Sequence, residues 1–123
     1  MPHENPTHWQ EQLWGHPVPF NPPASPQELV ARRNRVEQDA ERFTTNLPDV
    51  AQMHEHVEMR PEPGRTPTAE IYVPHGQPPF PVFLHLHGGG WFAGSAKQER
   101  RFSMNVASKG FVVVNLDYAL APE

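Results

Sequence analysis

His85-Leu86-His87-Gly88-Gly89-Gly90-Trp91 decides how the rest of this 123-residue sequence is read. It follows the apolar run Val82-Phe83-Leu84 and precedes a polar segment with helical spacing. Three consecutive glycines at the end of a buried strand leave the backbone without Cβ atoms. The chain can then turn sharply, take up φ > 0 and let a ligand approach its N–H groups. Such bare donors at a strand-to-helix junction suit a negative charge that develops during a reaction. A second landmark follows at Asp117-Tyr118-Ala119-Leu120-Ala121-Pro122-Glu123.

Working outward, residues 82–87 are short, apolar and β-favouring, as expected of a buried parallel strand. The spacing predicts a helix over 97–109, with Phe102 and Val106 facing a sheet and Gly110 where a C-cap glycine belongs. Residues 111–116 predict another buried strand, so strand, helix and strand form a right-handed βαβ unit. Upstream, residues 53–60 and 68–73 predict an antiparallel hairpin with Val57 and Met59 inward, turning at Pro61-Glu62-Pro63-Gly64-Arg65.

Ser25-Pro26-Gln27-Glu28 is a helix start: an N-cap serine, proline at the first helical position and a glutamate that completes a capping box. Leu29, Val36, Ala40 and Phe43 fall on one face of that helix, which should end before Pro48. Arg32, Arg33 and Arg35 predict a solvated face rather than an anion site. Residues 1–24 are proline-rich, with Trp9, Leu13, Trp14 and Phe20 expected to pack an irregular arm onto the body. The domain organisation is therefore an arm and helix over 1–52, then an α/β unit over 53–123.

His-Gly-Gly-Gly-Trp after one strand and Asp-Tyr-x-Leu-Ala-Pro-Glu after the next, with one helix between, resemble the hormone-sensitive-lipase-like carboxylesterases of the α/β-hydrolase fold. The resemblance covers the second half of the chain well and the first half loosely. It implies the N-terminal part of that fold, with strand order 1-2-4-3-5 and the Ser25 helix as part of a cap over the active site. It implies hydrolysis of a small-molecule carboxylic ester through a serine acyl-enzyme. The N–H groups of Gly89 and Gly90 would form the oxyanion hole, His87 and Gly88 would shape its loop, and Trp91 would wall the substrate site. Asp117 and Tyr118 would support the loop structurally. Family members commonly have arginine where Ala119 stands, so an ion pair is lost here. The arm of residues 1–24 would, by the same resemblance, line the mouth of an acyl pocket.

There is no Gly-x-Ser-x-Gly in the sequence; Ser25, Ser95, Ser103 and Ser108 are its serines, none in a nucleophile elbow. In this fold the nucleophile, acid and histidine follow in that order after the region present here. The resemblance therefore implies a fragment that supplies the oxyanion hole to a full-length parent and is inactive alone. An arylformamidase-like amide hydrolase, with a similar His-Gly-Gly-x-Trp loop, is an alternative. A non-catalytic truncated chain or pseudoenzyme is another. The missing fifth strand would leave an apolar sheet edge through which the chain can self-associate.

Composition narrows the classes. A formal net charge of −4 gives no bulk attraction to nucleic acid or anionic membrane. The absence of cysteine removes disulfides, thiol nucleophiles and cysteine-based metal sites, and fits a cytoplasmic protein. No signal peptide and no run long enough to span a bilayer are expected. His85 and His87 share a strand face, as do His54 and His56, but neither pair has a third ligand near it, so no metal and no cofactor are expected. Gly88, Gly90 and Gly94 followed by Asp117 caricature a dinucleotide-binding turn, but Trp91-Phe92 would crowd a pyrophosphate.

Overall fold

A computed structural model describes residues 21, 23–60 and 66–122. The expected arm over 1–24, apart from its last residues, and the expected turn over 61–65 lie outside the described residues. Four strands form one open sheet: β1 (Gln52–Glu58), β2 (Thr68–Val73), β3 (Val82–Leu86) and β4 (Val112–Asp117), in the order β1-β2-β4-β3. β1 pairs antiparallel with β2, and β2 antiparallel with β4. β3 and β4 run parallel, which requires the crossover that residues 97–107 provide. This mixed sheet has the order 1-2-4-3 that the resemblance implies.

Helix α1 (Pro26–Ala40) begins as the sequence dictates. Ser25 is the N-cap and its hydroxyl accepts from the Glu28 N–H at 3.1 Å. Glu28 reaches back to the Ala24 N–H, one residue before the usual capping-box partner. A 3₁₀ turn, Glu41–Phe43, ends the helical run ahead of Pro48. Ala40 is fully buried, while Leu29 and Val36 are half-buried.

The crossover is shorter than its spacing suggests. A 3₁₀ turn, Lys97–Glu99, leads into α2 (Arg100–Ala107). Ser103, Met104 and Ala107 are the residues of α2 that bury. Val106 packs on the core, but Phe102 lies 48% exposed over the β3 edge, where its ring meets His85 and Phe83. The core gathers Tyr72, Val113, Met104 and Ala107, with Phe83, Met53 and Phe111 against them.

The first hairpin strand departs from plain alternation. Its register shifts between His54 and Val57, and His56 takes φ 53°. The extra residue is a β-bulge. Met53 and Val57 turn toward the body, whereas Met59 falls beyond the strand and is 43% exposed, contrary to the expected alternation.

Cross-strand register sets the polarity of the sheet face under α2. Tyr72, Val113 and Phe83 align across three strands as an apolar row. The next row, one pleat toward the carboxyl ends of β3 and β4, is Glu70, Asn115 and His85. Asp117 follows on β4 opposite Thr68. Polar side chains therefore collect where the parallel strands end, and the glycine loop sits over them. No described helix is long and apolar enough to cross a membrane.

Candidate active site

The strand β3 ends at Leu86, and His87 opens the loop. His87 is 4% exposed and its ring stacks on that of Tyr118, with centroids 4.2 Å apart and planes 11° from parallel. Its Nδ1 lies 2.8 Å from the Gly88 carbonyl oxygen. A carbonyl can only accept, so Nδ1 carries the hydrogen and donates. The Tyr118 hydroxyl donates to the His87 carbonyl at 2.7 Å. Burial raises the Tyr118 hydroxyl above its ordinary range, so it stays a donor at neutral pH.

The loop then folds on itself. The Gly89 carbonyl accepts from the N–H groups of both Phe92 and Ala93, at 3.3 and 3.1 Å. Gly89, Gly90 and Trp91 all have positive φ, at 136°, 62° and 69°. A Cβ on Gly89 would collide with the Ala93 carbonyl, and one on Gly94 with the Gly88 carbonyl and the His87 ring. The close approach of Gly94 to Gly88 lets the loop close around His87.

These bonds fix where the free donors aim. In a trans peptide the N–H points opposite to the C=O of the same plane. The Gly88 carbonyl faces the His87 ring, so the Gly89 N–H faces away from it. The Gly89 carbonyl faces into the turn, so the Gly90 N–H faces out of it. Among the described residues none accepts from the N–H of Gly89 or Gly90. A concavity of about 330 Å³ lies over them, lined by His87, Gly88, Gly89, Gly90, Trp91 and Tyr118. Trp91 is 71% exposed and tilts toward Tyr118 with ring centroids 5.9 Å apart.

The far end of the loop is held by β4. Asp117 accepts from the Ala96 N–H at 2.6 Å, and the Asn115 amide donates to the Ala96 carbonyl at 2.7 Å. Burial pushes the Asp117 carboxyl up from its usual range, with the Ala96 N–H opposing that shift. Its nearest oxygen is 4.0 Å from His87 Nε2, beyond hydrogen-bonding reach. The Ala121 N–H donates to the Trp91 carbonyl at 2.8 Å. Asp117 and Tyr118 thus each hold a different point of the loop. Ala119 is exposed, and backbone groups together with Arg33 secure the neighbourhood.

Arg33 was expected on a solvated face and is instead half-buried. Its Nε donates to the Phe92 carbonyl at 2.7 Å and its guanidinium also to the Ala121 carbonyl at 2.6 Å. Arg32 does remain within its own segment, on Glu28 and the Asn21 carbonyl. Gly94, Asn115 and Arg33 are the loop-shaping residues that sequence reasoning passed over. For Gly94 a glycine six residues after Gly88 was the only signal; for the other two there was none, because their partners are distant in the chain.

His85 sits between Phe83 and Phe102, and His87 is under Tyr118. Among the described residues no group of three His, Asp or Glu side chains could hold an ion.

The sequence and fold have relatives. The BD-FAE family model matches residues 69–123. The chain is 44% identical over 59 residues to an AB hydrolase superfamily protein of Schizosaccharomyces pombe, covering 45% of this chain and 17% of that one. It is 32% identical over 68 residues to the hormone-sensitive lipase of Mus musculus, covering 54% of this chain and 8% of that one. An esterase of Pyrobaculum calidifontis superposes on 76% of this chain and 31% of its own, with a TM-score of 0.66 and 27% identity. The chain therefore spans less than a fifth of the length of the curated relatives it matches.

Proposed function

From the premise that the chain belongs to the hormone-sensitive-lipase-like carboxylesterase family of the α/β-hydrolase fold, we propose that it supplies the oxyanion hole of a serine ester hydrolase. The proposed donors are the N–H groups of Gly89 and Gly90. When a nucleophile adds to an ester carbonyl, the oxygen gains a full negative charge. Donors already fixed in place stabilise that charge without reorganising. The observation that carries this reading is the peptide geometry: both N–H groups turn outward from a loop that hydrogen bonds hold from within. Their position, beyond the carboxyl ends of two parallel strands, is where open α/β sheets bind ligands.

The serine that attacks and the histidine that moves its proton belong, in this proposal, to a full-length parent. Residues 53–123 are its partial hydrolase domain, and residues 1–52 an arm and cap-like helix. Trp91 walls the ester site, and His87, Gly88, Asp117 and Tyr118 hold the loop.

Hydrolysis of a short-chain p-nitrophenyl ester tests the proposal. The full-length protein should turn the ester over, the Gly89→Pro variant should not, and residues 1–123 alone should give negligible rates. Turnover by residues 1–123 alone, or its survival in Gly89→Pro, would overturn it.

A further inference from the structure

Arg33 on helix α1 and Phe92 at the glycine loop are 59 residues apart in the chain, yet the arginine side chain bridges them. Arg33 Nε donates to the Phe92 carbonyl and the same guanidinium to the Ala121 carbonyl. Between those two acceptors runs a third bond, from the Ala121 N–H to the Trp91 carbonyl. The three bonds close a ring through Trp91, Phe92, Arg33 and Ala121. Consecutive carbonyls of the loop, at 91 and 92, are thereby both pinned.

We propose that Arg33 is a positioning residue for the oxyanion loop, coupling α1 to the aim of the Gly90 N–H. The transmission is geometric. The carbonyl of Phe92 shares its peptide plane with the N–H of Ala93, so holding one sets the other. That N–H, with the N–H of Phe92, binds the Gly89 carbonyl. The Gly89 carbonyl shares its plane with the Gly90 N–H, and its direction fixes that of the donor. A guanidinium suits this task because it is permanently charged and presents its donors in a rigid fork. Hydrogen bonds from a charged donor are also stronger than neutral ones. Helix α1 is itself seated independently of the loop, through Ala40 in the interior and Lys97 paired with Glu41 just beyond its end. The loop is therefore tethered to a fixed body, and a displacement of α1 would reach the donors through Arg33.

The catalytic consequence rests on the function proposed above, and the experiment separates the two. Amide hydrogen exchange is compared in the full-length wild type, Arg33→Ala, Arg33→Lys and, as a control, Arg42→Ala. Arg42 is 80% exposed and pairs only loosely with Asp39. Arg33→Ala should speed exchange at Phe92, Ala93 and Ala121 by on the order of tenfold, the scale of one lost charge-assisted bond, while β4 amides keep their protection. Arg33→Lys, with one donor head for two acceptors, should fall between, and Arg42→Ala should match wild type. On an ester substrate Arg33→Ala should lower kcat by about tenfold with KM nearly unchanged, because the aim of the donor matters most in the transition state. Unchanged loop exchange in Arg33→Ala, or an equal loss of protection throughout β4, overturns the tether. If the wild type hydrolyses no ester but Arg33→Ala still loosens the loop alone, the tether stands and the esterase reading falls.

Discussion

Gly88, Gly89 and Gly94 sit within seven residues of one another and have different tolerances. A Cβ on Gly88 meets nothing within 4 Å, whereas one on Gly94 strikes the Gly88 carbonyl and the His87 ring at a φ of 97°. Gly88→Ala should change stability by less than about 0.5 kcal/mol. Gly94→Ala should cost about 2 kcal/mol or more, from backbone strain and collision together. Urea unfolding midpoints check both; equal effects would mean the loop does not close on His87 as described. His85 adds a pH dependence. Burial lowers its imidazole below the ordinary 6.5, with Glu99 opposing and His87 reinforcing the shift. The folded chain then binds the proton less well than the unfolded chain. Stability from this group is complete above 6.5 and is lost as pH falls from there through the depressed value. Between about pH 7.5 and pH 5.5 the wild-type midpoint should fall, and His85→Phe should flatten that slope. At this scale the sequence was most legible where chemistry is local. Three adjacent glycines and a histidine announced a loop by themselves. Arg33 and Asn115 did not, since an arginine on a polar helix face and an asparagine in a strand have no pattern that reveals partners 59 and 19 residues away.

The bulge in β1 and the start of α2 make a unit that local pattern could not foresee. The extra residue near His56 sets Glu55 beside Glu70, and Arg100, at the first position of α2, spans both. Glu70 is 5% exposed and also takes the Tyr72 hydroxyl. Burial and the Glu70 carboxylate raise the Tyr72 hydroxyl well above its ordinary range, so it remains a donor throughout the neutral range. Arg100→Met should destabilise by roughly 3–5 kcal/mol, because it strands a buried carboxylate. The companion Glu70→Gln should recover part of that loss, and equilibrium denaturation of the single and double variants measures the recovery. A small loss in Arg100→Met would show that Glu70 is solvated. Hydrophobic periodicity did locate the four strands and two α-helices of the described residues, since alternation and the serine-proline helix start are written in neighbouring residues. It misjudged Met59 and Phe102 for tertiary reasons. Met59 lies past the end of β1 at Glu58, and Phe102 covers the edge strand instead of the interior.

Across the whole molecule, the described helices cover the sheet on one side only. Val82, Leu84 and Leu86 are 67%, 59% and 52% exposed on β3, which is also an edge strand. Val112, Val114 and Leu116 continue that surface on β4 through the parallel register. An apolar face beside unpaired strand hydrogen-bonding groups favours pairing with another chain. Residues 1–123 on their own should therefore self-associate as concentration rises, and Leu84→Lys should reduce it. Sedimentation velocity measures this; a monomer at all concentrations with a concentration-independent melting transition would contradict it. The strand order was legible only through the resemblance: the residues themselves showed a hairpin and a right-handed βαβ unit, but not which strand lies beside which.

If the Gly90 N–H stabilises a developing oxyanion, a backbone substitution that removes this donor should slow the reaction. Glycolic acid in place of Gly90 in the full-length protein turns the Gly89–Gly90 amide into an ester and leaves every side chain intact. Steady-state ester hydrolysis should then show kcat lower by on the order of 10²–10³, with KM little changed. An unaltered kcat would show that the Gly90 N–H does not stabilise the oxyanion.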